Sequence, residues 1–353
     1  MKKIIFFIII NFLLFDKISN STIRANKDKK NYDFHPYKFK TNKKNALLSI
    51  IVRYSWEKIF PFIKSVIQAN FYNVDIIMFV NEISKSVINN LKSFGIIVYK
   101  IKQKLKNPHD IYIERWKIYL DFLKNNINKY NLVLSVDIKD TIFQNELFSL
   151  YEKYEELLGF SYEDLTIDNS IYRNSIIELF GINTLNKIKN KRIINAGTVW
   201  GTINAFIQFS HILYNKLLEL SEKSPKSNDQ SAVNYLIYHE NILNNCTKII
   251  SDEYGPVMTL GLTLRKNIRL DKSNNIINYN GYIASIIHQY DRHPDIKKKI
   301  IEKFCPELIR NKIIIKFFII LQLFVIILYL KSKIYLYRIK RFINKSSNKI
   351  RKL

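Results

Sequence analysis

Apolar and polar residues in the middle of the chain repeat with two alternating periods. Leu47–Val52, Val74–Val80 and Ile96–Ile101 are short, largely apolar runs, as expected of buried strands. Trp56–Ala69 and Ser84–Phe94 lie between them and place apolar residues three and four positions apart, which is typical of amphipathic helices. This alternation predicts βαβ units, and therefore a parallel sheet with right-handed crossover connections.

The same alternation continues into the second half of the chain. A longer helix is predicted over Ile113–Asn125, and it leads to a strand that begins at Leu132. Weaker patterns follow, which predict strands over Leu157–Tyr162, Arg192–Asn195, Lys248–Ser251 and Tyr282–His288 and helices over Asn204–Glu222 and Asp229–His239. The predicted fold is α/β: one domain over residues 47–305, with a doubly wound, mostly parallel sheet flanked by helices.

The first 46 residues do not follow this pattern. Two lysines precede the apolar run Ile4–Phe15, which is too short to span a bilayer. Residues 1–21 are therefore predicted to be a cleaved secretory signal peptide. Residues 22–46 are polar, basic and aperiodic, so we expect them to form a flexible stem.

A second apolar segment covers residues 313–330. It is interrupted by Lys316 and Gln322, and its length approaches what a bilayer requires. Both of its faces are apolar, which favours a transmembrane helix over the alternative, a buried amphipathic helix. Because Lys and Arg beside a span stay in the cytoplasm, residues 331–353 are predicted to be a basic cytosolic tail. The domain would then be lumenal, in a type I protein of the endoplasmic reticulum or Golgi membrane.

The net charge of +26 at first suggests a nucleic-acid partner. The basic residues, however, are concentrated at the two ends of the chain. Residues 331–353 hold nine Lys or Arg and no acid, and residues 22–46 hold eight against two Asp. By the same count residues 47–312 carry only about +8, without a dense basic stripe. The charge pattern therefore argues against nucleic acid as a partner of the central domain.

Glycine-rich phosphate loops are missing from the sequence. Glycine occurs only eight times, and neither G-x-G-x-x-G nor G-x-x-x-x-G-K-[ST] is present. Since these loops bring the backbone close to a nucleotide phosphate, their absence argues against a dehydrogenase or a P-loop enzyme.

Two acidic residues follow the strand that begins at Leu132. Asp137 and Asp140 stand at its carboxyl end, where sheets of this type bind ligands. Carboxylates this close repel one another unless a hard cation such as Mg²⁺ or Mn²⁺ lies between them, and such ions also bind substrate phosphates. The alternative is that Asp137 caps the strand end while Asp140 forms a surface ion pair with Lys139.

Three later clusters favour the cation site. Asn195-Ala-Gly197 combines a polar side chain with a glycine that lets the backbone approach a ligand closely. Asp229-Gln230 begins a helix, where Asp229 is either a solvent-exposed cap or a group that points into the cleft. His288 ends a predicted strand and is a candidate imidazole ligand, the alternative being a structural histidine with satisfied hydrogen bonds.

In this order the motifs resemble those of nucleotide-sugar glycosyltransferases with the GT-A fold. More narrowly, they are similar to a group of largely uncharacterised eukaryotic and bacterial transferases with an Asp-x-Arg-Asp version of the metal motif. The resemblance extends from about Leu47 to Phe304. The residues that carry it are Arg115-Trp-Lys-Ile-Tyr119, Tyr130-Asn-Leu-Val-Leu-Ser-Val-Asp-Ile-Lys-Asp-Thr-Ile-Phe-Gln144, Asn195-Ala-Gly197, Asp229-Gln230 and His288-Gln-Tyr-Asp-Arg-His-Pro294.

The resemblance implies a metal centre that binds the donor diphosphate. Asp137 and Asp140 would be ligands of Mn²⁺ or Mg²⁺, and His288 would be the third ligand. This chain departs from the pattern, because two residues separate its carboxylates and Lys139 stands where the group has Arg. A Lys cannot make the planar bidentate contact of a guanidinium. Asp137 fits the motif with either spacing of the carboxylates, whereas the sequence leaves open whether Asp140 is a direct ligand.

The resemblance also implies a sugar side to the site. Its lining would consist of Asn195, Gly197, Asp229 and Gln230. Asp229 and Gln230 are the catalytic candidates, as a base or as groups that stabilise an oxocarbenium-like centre. Arg115 would contact the donor or orient Asp137, and Arg292 or His293 would add positive potential near the leaving diphosphate.

The function expected from these residues is metal-dependent glycosyl transfer. A sugar would move from a nucleotide-diphosphate donor to a glycan, lipid or protein acceptor in the secretory lumen. The alternative is a membrane-anchored binding or scaffold protein that keeps the fold without the activity.

Overall fold

The computed structural model describes residues 42–102, 110–224, 227–310, 319–324 and 326–333. The predicted signal peptide, residues 22–41 of the predicted stem and residues 334–353 of the predicted tail lie outside the described residues.

Strands and helices alternate through most of the described chain. The strands are β1 (Lys44–Val52), β2 (Val74–Asn81), β3 (Ile97–Lys100), β4 (Tyr130–Val136), β5 (Thr141–Phe143), β6 (Leu157–Thr166), β7 (Arg192–Thr202), β8 (Thr247–Ser251), β9 (Val257–Thr259), β10 (Arg269–Leu270), β11 (Ile276–Ile277) and β12 (Ile286–His288). The helices are α1 (Trp56–Gln68), α2 (Lys85–Ser93), α3 (Asp110–Lys124), α4 (Tyr172–Phe180), α5 (Ile182–Ile188), α6 (Ile203–Lys223), α7 (Asp229–Tyr238) and α8 (Pro294–Phe304).

A seven-stranded sheet forms the centre of the described domain, in the order β3-β2-β1-β4-β7-β6-β8. The pairs β1/β2, β2/β3, β1/β4 and β6/β8 are parallel, whereas β4/β7 and β6/β7 are antiparallel. Helices α1, α2 and α3 provide the crossovers that parallel neighbours require. The prediction of an α/β fold with a mostly parallel sheet flanked by helices is confirmed.

Most predicted elements are present, but several of their boundaries were wrong, three of them for a clear physical reason. β1 begins at Lys44, inside the predicted stem, because the Lys44 amide already donates to the Lys129 carbonyl. β7 continues to Thr202, since its second half pairs with β4. The last strand is Ile286–His288 and does not begin at Tyr282, which is 71% exposed.

The main core lies between the sheet and helices α3, α6 and α7. Trp116 of α3 is fully buried and contacts Phe206 and Phe209 of α6, with ring centroids 6.2 and 5.4 Å apart. α6 buries apolar residues at helical spacing along its whole length, which is why its pattern was readable from the sequence. Each buried aromatic ring contributes about 1.5 to 3 kcal/mol, so this core fixes α3 and α6 against each other and the sheet.

A second, three-stranded sheet has the order β5-β12-β9. β5 follows directly on the turn after β4, and β12 pairs with it so that His288 lies opposite Thr141. Phe143 of β5 packs edge-on against Phe62 of α1, with centroids 5.7 Å apart. This small sheet therefore brings the C-terminal part of the domain to the end of β4.

β7 contains a bulge beside the end of β4. On the β6 side Phe160 pairs with Val199 while the next residue, Ser161, pairs with Asn195, so residues 196–198 bulge out of the β6 register. On the other side β4 stays in register with β7, and the Asp137 amide donates to the Gly197 carbonyl at 2.9 Å. Bulges of this kind re-aim residues next to binding sites.

The predicted transmembrane segment, residues 313–330, is only partly described. Residues 319–324 and 326–333 are helical, and their large apolar side chains are exposed. Among the residues that the structure describes, no helix has both the length and the apolar character needed to cross a bilayer. The prediction of a transmembrane helix is therefore unsupported, and residues 313–318 and 325 lie outside the described part.

Candidate metal centre

Two carboxylates and one imidazole converge at the carboxyl end of β4. Asp137 follows the last residue of β4, Asp140 precedes β5, and His288 ends β12. Their ligand atoms all lie within 4.8 Å of one another. His288 Nε2 is 3.7 Å from Asp137 Oδ2 and 3.6 Å from Asp140 Oδ1. The three residues predicted as metal ligands are thus brought together.

The environment of His288 fits a cation better than it fits a structural role. The side chain is 1% exposed, and neither ring nitrogen has a hydrogen-bond partner in the described part of the chain. A buried polar group without a partner is costly, so a structural histidine would normally be satisfied. An ion that holds its ligands at about 2.1 Å keeps them within about 4.2 Å of one another, and both His288 distances meet that limit.

Gly197 forms one wall of the same site. A Cβ added at this position would lie 2.5 Å from His288 Cε1 and 2.6 Å from Asp137 Oδ2. Both distances are shorter than real Cβ contacts, so only glycine allows the β7 bulge to approach the ligands this closely. The predicted close approach of the backbone at Gly197 is present.

Replacing Gly197 with alanine should weaken cation binding by about 10- to 100-fold, because the new methyl group must displace His288 or Asp137. Isothermal titration with Mn²⁺ measures the effect. Gly281→Ala is the control for strain outside the ligand group: Gly281 lies in an exposed turn at φ +84, where alanine is strained, but its added Cβ meets no atom within 4 Å. An unchanged Mn²⁺ affinity in Gly197→Ala would show that the ion does not bind here.

Arg115 connects the metal centre to α7. Its guanidinium donates to Asp137 Oδ1 at 2.7 Å, to the Ala196 carbonyl at 3.1 Å and, in a short contact, to Asp229 Oδ2. The predicted orienting contact with Asp137 is therefore present. Burial opposes the charge on Arg115, but Asp229 and Asp137 outweigh it and raise the pKa of the guanidinium further.

Asp229 is a buried charge, not a solvent-exposed cap. Its side chain is 6% exposed and also accepts a hydrogen bond from Trp116 Nε1 at 3.2 Å. The capping role belongs to Asn228, whose side chain accepts from the Ser231 amide. Burial, together with the charge on Asp137, raises the pKa of Asp229, and Arg115 limits that rise.

Asn195 and Gln230 belong to a buried amide network. The side-chain oxygen of Asn195 accepts from the Gly197 amide at 2.8 Å. The side-chain NH₂ groups of Asn195 and Gln230 each donate to Glu163 Oε1 at 2.7 Å. Gln230 also accepts from the Ala196 amide at 3.4 Å. The network holds the bulge in place through its backbone.

The sequence analysis missed Glu163. An acid directly after a predicted strand was a recognisable feature, as it was at Asp137.

Basic groups surround the exposed side of Asp140. Arg292 Nη2 lies 3.4 Å from Asp140 Oδ2, while its Nη1 donates to Asp291 at 2.7 Å. Lys139 is 3.7 Å from Asp291. Burial acts to raise the pKa of Asp140, but His288, Arg292 and Lys139 outweigh it and hold this pKa below its ordinary value.

His293 contacts the backbone beside β12. Its Nε2 lies 2.9 Å from the carbonyl oxygen of Leu260, whose own amide donates to the His288 carbonyl at 2.9 Å. The structure brings Arg292 to Asp140, and the predicted role of His293 beside the leaving diphosphate stays a prediction.

The balance of charge also suits a cation. Five carboxylates meet three cationic side chains in and around the site: Asp137, Asp140, Glu163, Asp229 and Asp291 against Arg115, Arg292 and Lys139. Such an excess of negative charge favours a divalent ion, because carboxylate oxygens are the ligands that Mg²⁺ and Mn²⁺ prefer.

Comparison of the chain with protein-family models and with curated proteins returned no match. The site is thus characterised by its own geometry: a buried Asp-Asp-His group able to hold a metal ion.

Proposed function

We propose that this chain is a metal-dependent glycosyltransferase that uses a nucleotide-diphosphate sugar as donor. The observation that carries the proposal is the convergence of Asp137, Asp140 and an otherwise unpartnered, buried His288 at the carboxyl end of a sheet strand. The site lies where open α/β sheets bind nucleotides. The ordered motifs that resemble GT-A enzymes supply the substrate class, and the mostly parallel sheet is compatible with that fold.

Asp137, Asp140 and His288 would hold Mn²⁺ or Mg²⁺. When bound, such an ion supplies Lewis-acid stabilisation of the negative charge on a departing diphosphate. Asp137 is the ligand with an open side, since its side chain is 43% exposed while those of the other two are nearly buried. The donor phosphates would therefore approach from the side of Asp137.

Arg292 and Lys139 would provide positive charge beside the same phosphates. Their side chains are 45% and 44% exposed, so both are accessible to a ligand anion. Asp291 contacts both groups and holds them near Asp140. Preorganised charges of this kind stabilise an anionic leaving group without reorganising during the reaction.

Asp229 and Gln230 are better suited to positioning than to proton transfer. Asp229 is occupied by Arg115 and Trp116, and both polar atoms of the Gln230 side chain are engaged by the protein. We propose that they fix the β7 bulge and the orientation of Asp137. The acceptor, and placement in the secretory pathway, remain parts of the proposal that rest on the sequence.

Thermal unfolding of the protein with Mn²⁺ and a panel of nucleotide sugars tests the proposal. A donor at 100 times its dissociation constant should stabilise the protein by about 2.7 kcal/mol, and only when Mn²⁺ is present. Asp137→Ala should abolish the shift. Asp121→Ala, which removes an exposed Asp paired with Lys117 on the surface of α3, should leave it unchanged. A binding or scaffold protein without the activity predicts no Mn²⁺-dependent shift with any donor.

A further inference from the structure

Glu163 is a buried acid next to the metal centre that the roles above leave unused. It lies on β6 and is 2% exposed. Asn195 and Gln230 both donate to the same carboxylate oxygen, Oε1, each at 2.7 Å. These two hydrogen bonds fix the plane of the carboxylate. Within the described part of the chain, no donor reaches the second oxygen, Oε2.

No cationic side chain of the described residues neutralises this carboxylate. Arg192 does contact Glu163, but its Nε donates to the backbone carbonyl of Glu163 at 3.4 Å and not to the carboxylate. The Nη atoms of Arg192 bind Asp164 and Glu253. Oε2 is not among the fully buried side-chain atoms that lack a partner, so it keeps some access from outside the core, and a ligand there can complete its hydrogen bonding.

A cavity lies beside the amino end of α7, the helix that carries Gln230. Its volume is about 320 Å³, and it is lined by Tyr172 and Asn228, among other residues, with Asn228 directly preceding Asp229. The volume is at the small end of the range for ligand sites, about 300 to 1,000 Å³.

We propose that Glu163 Oε2 binds a hydroxyl group of the transferred sugar, while Asn195 and Gln230 hold Oε1. The inference rests on the proposed function and adds a specificity-determining residue to it. A carboxylate oxygen only accepts hydrogen bonds, so its partner must be a donor such as a sugar hydroxyl.

A second metal ion is a poorer partner for Glu163. The group of possible metal ligands in the described residues consists of Asp137, Asp140 and His288, and Glu163 is outside it. Its fixed neighbours are two amide NH₂ groups, which donate hydrogen bonds and cannot coordinate an ion through nitrogen in that orientation. A ligand hydroxyl group beside Glu163 is compatible with these two NH₂ donors.

The test measures three affinities for wild type and Glu163→Gln by isothermal titration: Mn²⁺ alone, a nucleoside diphosphate with Mn²⁺, and the matching nucleotide sugar with Mn²⁺. The first two should fall by the same small factor, below about threefold, because the variant removes one charge near the ion while Gln keeps one oxygen for Asn195 and Gln230. Affinity for the nucleotide sugar should fall by at least about tenfold, as expected when a charged hydrogen bond to a ligand is lost.

Glu163→Asp provides a second variant that keeps the charge but withdraws it by one methylene, and the same loss is expected. Thermal unfolding without ligand verifies that each variant folds. Equal loss of Mn²⁺ affinity and sugar affinity would make Glu163 a structural support and overturn the inference. Unchanged sugar affinity would overturn it while leaving the proposed function intact. If the wild-type protein binds no nucleotide sugar with Mn²⁺, the proposed function fails and this inference fails with it.

Discussion

Replacing Arg115 with methionine should lower the free energy of unfolding by about 3 to 5 kcal/mol, the largest effect expected of a single substitution at this site. Arg115 is the common partner of Asp137 and Asp229, and its side chain is only 11% exposed. Without it, Asp229 is left as a buried charge whose one other side-chain partner among the described residues is the indole of Trp116. Urea unfolding of wild type and variant, monitored by tryptophan fluorescence, measures the difference.

The double variant Arg115→Met/Asp229→Asn separates loss of packing from loss of charge. Asn at position 229 removes the unpaired charge and still offers an oxygen to Trp116, so about half or more of the lost stability should return. If the double variant is as unstable as Arg115→Met, burial of the Asp229 charge is not the cause. Metal affinity should stay reduced in both variants, because Asp137 loses the hydrogen bond that orients it.

The affinity for Mn²⁺ should fall by up to about tenfold for each unit that the pH decreases below the pKa of His288. Burial alone would lower this pKa, but Asp140, Asp137 and Glu163 outweigh it and raise the pKa above its ordinary value of 6.5. Below the raised pKa the imidazole carries a proton that must leave when the ion binds, whereas above it no proton is released. Titrations with Mn²⁺ at a series of pH values from the ordinary pKa of 6.5 upward locate this transition.

The pH dependence should originate mainly from His288. The pKa of Asp140 is held below its ordinary value of 3.8, so this carboxylate is already ionised throughout that range. His288→Gln offers an amide oxygen that does not titrate, so its Mn²⁺ affinity should be lower and nearly independent of pH. An unchanged slope in His288→Gln would assign the released proton to another group.

Local pattern was sufficient for the elements that carry the site. β4 is a run of apolar residues that ends in Asp137, and α3 and α6 show helical spacing throughout. Parallel sheets place ligands at the carboxyl ends of their strands, so the position of Asp137 along its strand already located the site. His288 was also predicted as a ligand candidate, because it is a polar residue at the end of an apolar strand.

Asp140 shows what local pattern could not decide. The two residues between Asp137 and Asp140 left the role of Asp140 open, because a side chain in a turn can point to solvent or into the protein. In the structure it is 7% exposed and lies beside His288, because β5 pairs with β12 in one particular register. That pairing joins segments about 150 residues apart, and no local periodicity encodes it.

The sequence by itself therefore determined the class of fold, most of its strands and helices, and the acids and histidine available to a cation. Only the tertiary structure decided that these groups meet, that Arg115 joins Asp137 to a buried Asp229, and that Glu163 accepts hydrogen bonds from Asn195 and Gln230. The physical reason is that secondary structure follows from the spacing of neighbouring side chains, whereas a site is made by long-range strand pairing and burial. Those contacts set both the charge that each group carries and the ligand that it can accept.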